Sequence, residues 1–121
     1  MMLEGSVNHL MQAVVPVRLY GPNNQFEDVS AMIDTGFSGA LVVPVDLVQM
    51  LGLDFVSSVL VELADGTIKE NDRYEAEVDW MGRRKLIAVT AVECDTLLGM
   101  KLLAGHQLFI DVRPGGKVEI Q

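Results

Sequence analysis

The chain has 121 residues, half of them hydrophobic, and a formal net charge of −8; its mean hydropathy is +0.30. That length supports one domain, expected to span 1–121 with its core at about 13–112, and the acidity repels phosphate backbones, which excludes nucleic acid as an expected partner. So apolar a composition in so short a chain implies either a dense core or a partner over part of the surface, and an obligate dimer is open before any motif is read.

In chain order, Ala13 to Gly21 is β-rich and ends in Gly21-Pro22-Asn23-Asn24, a strong turn signal. Phe26 to Ile33 is the returning strand, with Phe26, Asp28 and Ser30 alternating against Glu27, Val29 and Ala31, and it delivers Asp34 at its end. The run Ala40-Leu41-Val42-Val43 is continuously apolar, as a strand buried on both faces should be. Residues 44–53 form the best helix candidate: Pro44 fits the first turn, Leu47, Val48 and Leu51 share a face, and Gly52 supplies the stop. Residues 56–66 read as a strand and a turn, broken at Ala64-Asp65-Gly66.

The clearest alternation lies at 74–80. Tyr74, Ala76, Val78 and Trp80 point one way and Glu75, Glu77 and Asp79 the other, so the three carboxylates are the solvated face of a strand rather than a cation site. Met81-Gly82 turns this strand into 85–93, making 67–93 a hairpin, with Arg83-Arg84-Lys85 as a solvated turn. About one turn of helix is expected after Gly99, a strand at 107–112, a turn at Pro114-Gly115-Gly116, and a last strand at 117–120. The expected class is mostly β with one or two short helices.

Single reactive groups are given ordinary roles. Cys94, alone in the chain, is expected to be an inert core thiol. His9 and His106 have no metal-ligand spacing, and no metal is expected. No basic residue precedes Arg18 and no uncharged run approaches a membrane span, so a cytoplasmic location with no membrane partner is the expectation.

Chemistry concentrates at Asp34-Thr35-Gly36, which occurs once. A free aspartate has a pKa near ~3.9 and is a poor base at neutral pH. Two carboxylates about 3 Å apart share one proton, so that one activates water while the other donates to a carbonyl. A glycine beside them permits the close backbone approach this needs.

The chain resembles the retropepsin-like aspartic proteases, single-lobe relatives of pepsin, through three features in order. These are the apolar strand with Asp34-Thr35-Gly36 followed by Leu41-Val42-Val43, a central β-hairpin, and Leu97-Leu98-Gly99 before the short helix Met100 to Leu103. They span about 26 to 112. The resemblance implies a closed β-barrel of the acid-protease type. It implies an aspartic endopeptidase in which water is activated between the Asp34 carboxylates of a homodimer, without a cofactor, on a peptide or protein substrate. Thr35 would brace the two active-site loops, and Gly36 would leave room for the substrate backbone. Phe37 and Ser38 would contact substrate, Ala64, Asp65 and Gly66 would form or flank the flap tip, and Leu97 and Leu98 would lie near the cleft walls.

Three positions depart from the family pattern. Phe37 stands where a small residue is usual, while Ser38 and Met100 replace an acid–arginine pair of the retroviral branch. Joint loss of that pair leaves no unpaired buried charge and points to a non-retroviral branch. The rival function is a dimeric binding or assembly module on the same fold, non-catalytic or vestigial. A phosphatase reading of Asp65-Gly66-Thr67 fails because Leu63 stands where a second aspartate is needed.

Overall fold

The computed structural model describes residues 1–121 and is mostly β. Its strands are β1 (Leu3–Val7), β2 (Ala13–Tyr20), β3 (Phe26–Ile33), β4 (Leu41–Val43), β5 (Asp54–Glu62), β6 (Ile68–Trp80), β7 (Arg83–Ala91), β8 (Leu97–Leu98), β9 (Leu108–Ile110) and β10 (Lys117–Ile120). Two helices interrupt them, α1 (Val45–Leu51) and α2 (Met100–Leu103).

The strands form one sheet in the order β5-β6-β7-β4-β8-β3-β2-β1-β10-β9, and β2 also pairs with β6. That additional pairing, Leu19 with Val78 and Tyr20 with Glu77, returns the sheet on itself through β2, β3, β8, β4, β7 and β6. Period-two patterning explains which side is filled. Val15, Val17 and Leu19 of β2 and Ala76, Val78 and Trp80 of β6 are buried, whereas Pro16, Glu75 and Asp79 are exposed. β4 is buried along its whole length, as its unbroken apolar run requires.

The helix α1 follows Pro44, whose φ of −67° sets the chain just before the first turn rather than within it. Leu47, Val48 and Leu51 are buried, each contributing about 1.5–3 kcal/mol on the usual scale for a fully buried aliphatic side chain. The helix stops at Gly52, left-handed at φ 60°, whose N–H donates to Gln49 O. Between β6 and β7, Met81 and Gly82 both have positive φ, the conformation of a two-residue hairpin turn whose twist matches its strands.

One expectation needs correction, that for Cys94, and two strands go beyond what the sequence marked. β1 has no counterpart in the sequence reading, yet it pairs with both β2 and β10. Its alternation is short, and Gly5 hides it: a Cβ there would collide with Val14 O, so the position favours close strand approach over side-chain packing. β7 ends at Ala91, leaving Cys94 exposed in the following loop rather than in the core. Its Sγ donates to Asp95 O at 3.1 Å, and partial burial, with Asp95 beside it, raises its pKa. Finally, β6 is longer than the alternating segment that marked it and pairs on one side with β5, on the other with β7. Two hairpins therefore share it. No helix is long and apolar enough to cross a membrane.

Candidate active site

Asp34 follows the last residue of β3, which runs parallel to β8 with Met32 opposite Leu97 and Ile33 opposite Leu98. The backbone N–H of Met32 donates to Thr96 O and that of Asp34 to Leu98 O, both at 2.9 Å. β8 thus holds Asp34 by its main chain and leaves the side chain free for other contacts. The carboxylate turns back on its own loop, where Oδ1 accepts the Gly36 N–H at 2.9 Å. Phe37 N–H donates to Asp34 O at 3.1 Å, closing a turn across Asp34-Thr35-Gly36-Phe37. Asp34 is half-buried, and Thr35 and Gly36 are exposed.

The next residues are tied to α2. Gly99 N–H donates to Ala40 O, Met100 N–H to Phe37 O and Lys101 N–H to Gly39 O, at 2.9, 2.8 and 3.1 Å. The first amides of a helix lack partners within it, and here the loop carbonyls accept the donors of Met100 and Lys101. The ring of Phe37 lies against Gly39 and Gly99: a Cβ built on Gly39 would stand 2.5 Å from Phe37 Cζ. The aromatic residue that departs from the family pattern is therefore accommodated by two glycines.

Phe37 and Ser38 open onto the largest cleft, about 600 Å³ and lined by 17 residues. Its walls come from the 37–40 loop, β4, β5, β6, β7 and α2, and include Val59, Val61, Asn71 and Arg73. Ala64, Asp65 and Gly66 sit at the exposed tip of the β5–β6 hairpin. The turn is self-contained: Leu63 N–H donates to Thr67 O at 2.7 Å, Gly66 N–H to Leu63 O at 2.9 Å, and Gly66 has φ 86°. Asp65 Oδ1 accepts Thr67 N–H at 2.9 Å, and hydrogen bonds from Thr67 hold its pKa below the usual carboxylate value.

The structure separates the two leucines assigned to the cleft walls. Leu98 is fully buried and belongs to the core, facing Ile33 and Leu41 across the sheet, so it is not a wall residue. Leu97 is half-buried and lies outside the large cleft. The sequence reading also missed Arg73, Lys85 and Lys101, which line the cleft from three different elements. No local motif links them; they line separate parts of the cleft, Arg73 opposite Thr90 on the β6–β7 ladder, Lys85 five residues further along β7, and Lys101 on α2. Lys85 lies on strand β7 rather than in a solvated turn.

The other singled-out residues have structural partners. Trp80 is buried and donates from Nε1 to His106 Nε2 at 3.2 Å, and His106 Nδ1 lies 3.2 Å from Gln121 O. Tyr20 Oη donates to Asp79 Oδ2 at 2.9 Å, and Arg84 pairs with Glu77 at 3.4 Å while lying 3.7 Å over the Tyr20 ring.

No family model and no curated protein matches the sequence. Solved structures do match the fold. A retropepsin-like aspartic protease from Rickettsia conorii superposes with a TM-score of 0.63 at 20% identity, covering 99% of this chain and 89% of that one. The protease of EIAV, complexed with the inhibitor HBY-793, superposes with a TM-score of 0.59 at 16% identity, over 82% of this chain and 91% of the other. The chain has the retropepsin-like fold.

Proposed function

We propose that the chain is an aspartic-type endopeptidase acting as a homodimer, with Asp34 of each copy forming one catalytic pair. The observation that carries this reading is the placement of Asp34: it ends β3, is bonded through its main chain to β8, and has its carboxylate oriented by the Gly36 amide, on a retropepsin-like fold. The six-strand circuit is taken as the closed barrel of a single lobe. In the pair, one ionised carboxylate accepts a proton from water as the oxygen attacks the scissile carbonyl, while the other, protonated, donates to the carbonyl oxygen. Breakdown of the tetrahedral diol then passes a proton to the leaving nitrogen. Thr35 braces the two loops, and Gly36 leaves room for the substrate backbone.

The second copy is proposed to pair along β9. The sheet ends on β5 and β9. β5 carries a register break between Phe55 and Ser57, which blunts an edge. β9 is regular, and the amides of Gln107 and Asp111 donate inward to β10, so by alternation Leu108 and Ile110 turn their N–H and C=O groups to the open side. Antiparallel self-pairing centred on Phe109 satisfies those groups and sets Leu108 opposite Ile110 of the second copy.

The deciding experiment compares wild type with Asp34→Asn on an unstructured protein substrate. Cleavage that disappears in the variant, is blocked by pepstatin, and leaves the melting temperature unchanged supports the reading. Full activity in Asp34→Asn sinks it.

A further inference from the structure

The chain carries 17 acidic residues against nine cations. None of those acids lines the large cleft, yet three of the cations do: Arg73 on β6, Lys85 on β7 and Lys101 on α2. All three lack a carboxylate partner, because the ion pairs of the chain are Arg18–Asp28, Arg84–Glu77 and Arg113–Asp111. Arg73, half-buried, stands opposite Ser57 and Thr90, neither of which neutralises it. The acids next along the same face of β6, Glu75 and Glu77, line a different hollow beside Tyr20 and Pro22. A molecule this acidic with a cleft this basic has segregated its charge, and the field inside the cleft opposes that of the surface.

We infer that this cleft, which Asp34 does not line but which begins at Phe37 and Ser38 of the same loop, binds an extended peptide segment carrying acidic side chains beside aliphatic ones, and so makes acidic sequences the substrate class of the site proposed above, on whose catalytic reading this inference rests. The lining runs from Lys85 on β7 to Val92 just past its end, about 23 Å at about 3.3 Å per residue, which suits an extended chain rather than a small molecule. Val42, Val59, Val61 and Val92 supply the apolar surface. Arg73 offers a planar fork that fits a carboxylate with two parallel hydrogen bonds. Lys85 and Lys101 are exposed point charges on flexible stems that follow a carboxylate without fixing it. Long-range attraction cannot produce the same preference, since the net charge of −8 repels acidic peptides outside the cleft.

Binding is measured on Asp34→Asn, so that cleavage does not consume the probe, using a random decapeptide pool and matched peptides differing only by Glu→Gln. Retained peptides are expected to be enriched in Asp and Glu, and the Glu form to bind about tenfold tighter than its Gln partner, the size that three partly exposed charge pairs give. Arg73→Gln, Lys85→Gln and Lys101→Gln together are expected to bring the two forms to within about twofold. Lys101→Glu, a single change at an exposed position, is expected to weaken the Glu peptide selectively and serves if the triple variant does not fold. Equal binding of the Glu and Gln forms, a preference that survives loss of the cations, or no retained peptide overturns the inference. Cleavage by wild type without acidic bias overturns it while leaving the protease reading intact. Acidic peptides retained by Asp34→Asn but cleaved nowhere by wild type support the binding of acidic segments while ending the protease reading and, with it, the substrate assignment.

Discussion

The ring of Phe37 occupies the space that a side chain at Gly99 would need. The backbone carbonyls of Gly39 and Phe37 crowd the same space, and Gly99 has an extended backbone, so close approach rather than conformational freedom demands glycine there. At Gly39 the obstacle is the Phe37 ring alone. The two glycines should therefore respond differently to removal of the ring. Gly39→Ala is expected to destabilise by about 1–3 kcal/mol, and most of that cost should vanish in a Phe37→Ala background. Gly99→Ala should cost at least as much and remain costly there, because its clash is also with backbone. Urea unfolding of the double-mutant cycles tests this; full rescue of Gly99→Ala would remove the backbone from the explanation.

Much of this loop was legible in sequence because its signals are local. Asp34-Thr35-Gly36 follows a strand whose alternation marks its bounds, and Leu97-Leu98-Gly99 precedes a short helix. β3, β10 and the stop of α1 at Gly52 are equally local, set by alternation or by a left-handed glycine. The failures share a different cause. The apolar pattern of β7 reaches Val92, Cys94 follows it between Glu93 and Asp95, and only the partner strands decide that pairing stops at Ala91. Leu97 and Leu98 carry the same side chain, but neighbouring strands send one to the core and leave the other half-buried. Arg73, Lys85 and Lys101 are far apart in sequence, and their lining of one cleft is a property of topology.

Leu98 provides a direct test of its reassignment to the core. It is fully buried on a two-residue strand held between β3 and β4. Truncation there leaves a cavity that the constrained neighbours cannot close. Leu98→Ala is expected to cost about 2–5 kcal/mol, and Leu97→Ala distinctly less. Denaturant midpoints measure both; a cost for Leu98→Ala no greater than for Leu97→Ala would return Leu98 to the cleft.

Acid should weaken the sheet at the β2–β3 ladder. Arg18 donates to both oxygens of Asp28, at 2.7 and 3.0 Å, and this bond pulls the Asp28 pKa below its usual 3.8. Because the folded value is the lower one, the carboxylate stabilises the fold above the unfolded pKa, and the contribution is lost as pH falls through the folded value. Asp28→Asn is therefore expected to lower the melting temperature near neutral pH and to match wild type once the pH is well below 3.8. The effect should be small, since both side chains are largely solvated and the ion pair is screened. A difference between the two proteins that grows as pH falls would contradict the assignment.

The proposed dimerisation along β9 can be tested apart from folding by a single substitution. Gln107 and Asp111 donate toward β10, so the N–H of Ile110 faces the open edge. Proline removes that donor and is tolerated in an edge strand when no internal bond is lost. Ile110→Pro should keep the β9–β10 pairing and the fold, yet yield a monomer with little proteolysis, since each copy holds one Asp34. Phe109→Pro, whose N–H faces β10, should instead reduce stability. Sedimentation equilibrium and thermal melts read the two effects apart. In wild type, specific activity should fall on dilution as the pair of carboxylates is lost with the dimer. Retention of dimer and activity by Ile110→Pro would move the interface away from β9 to another surface.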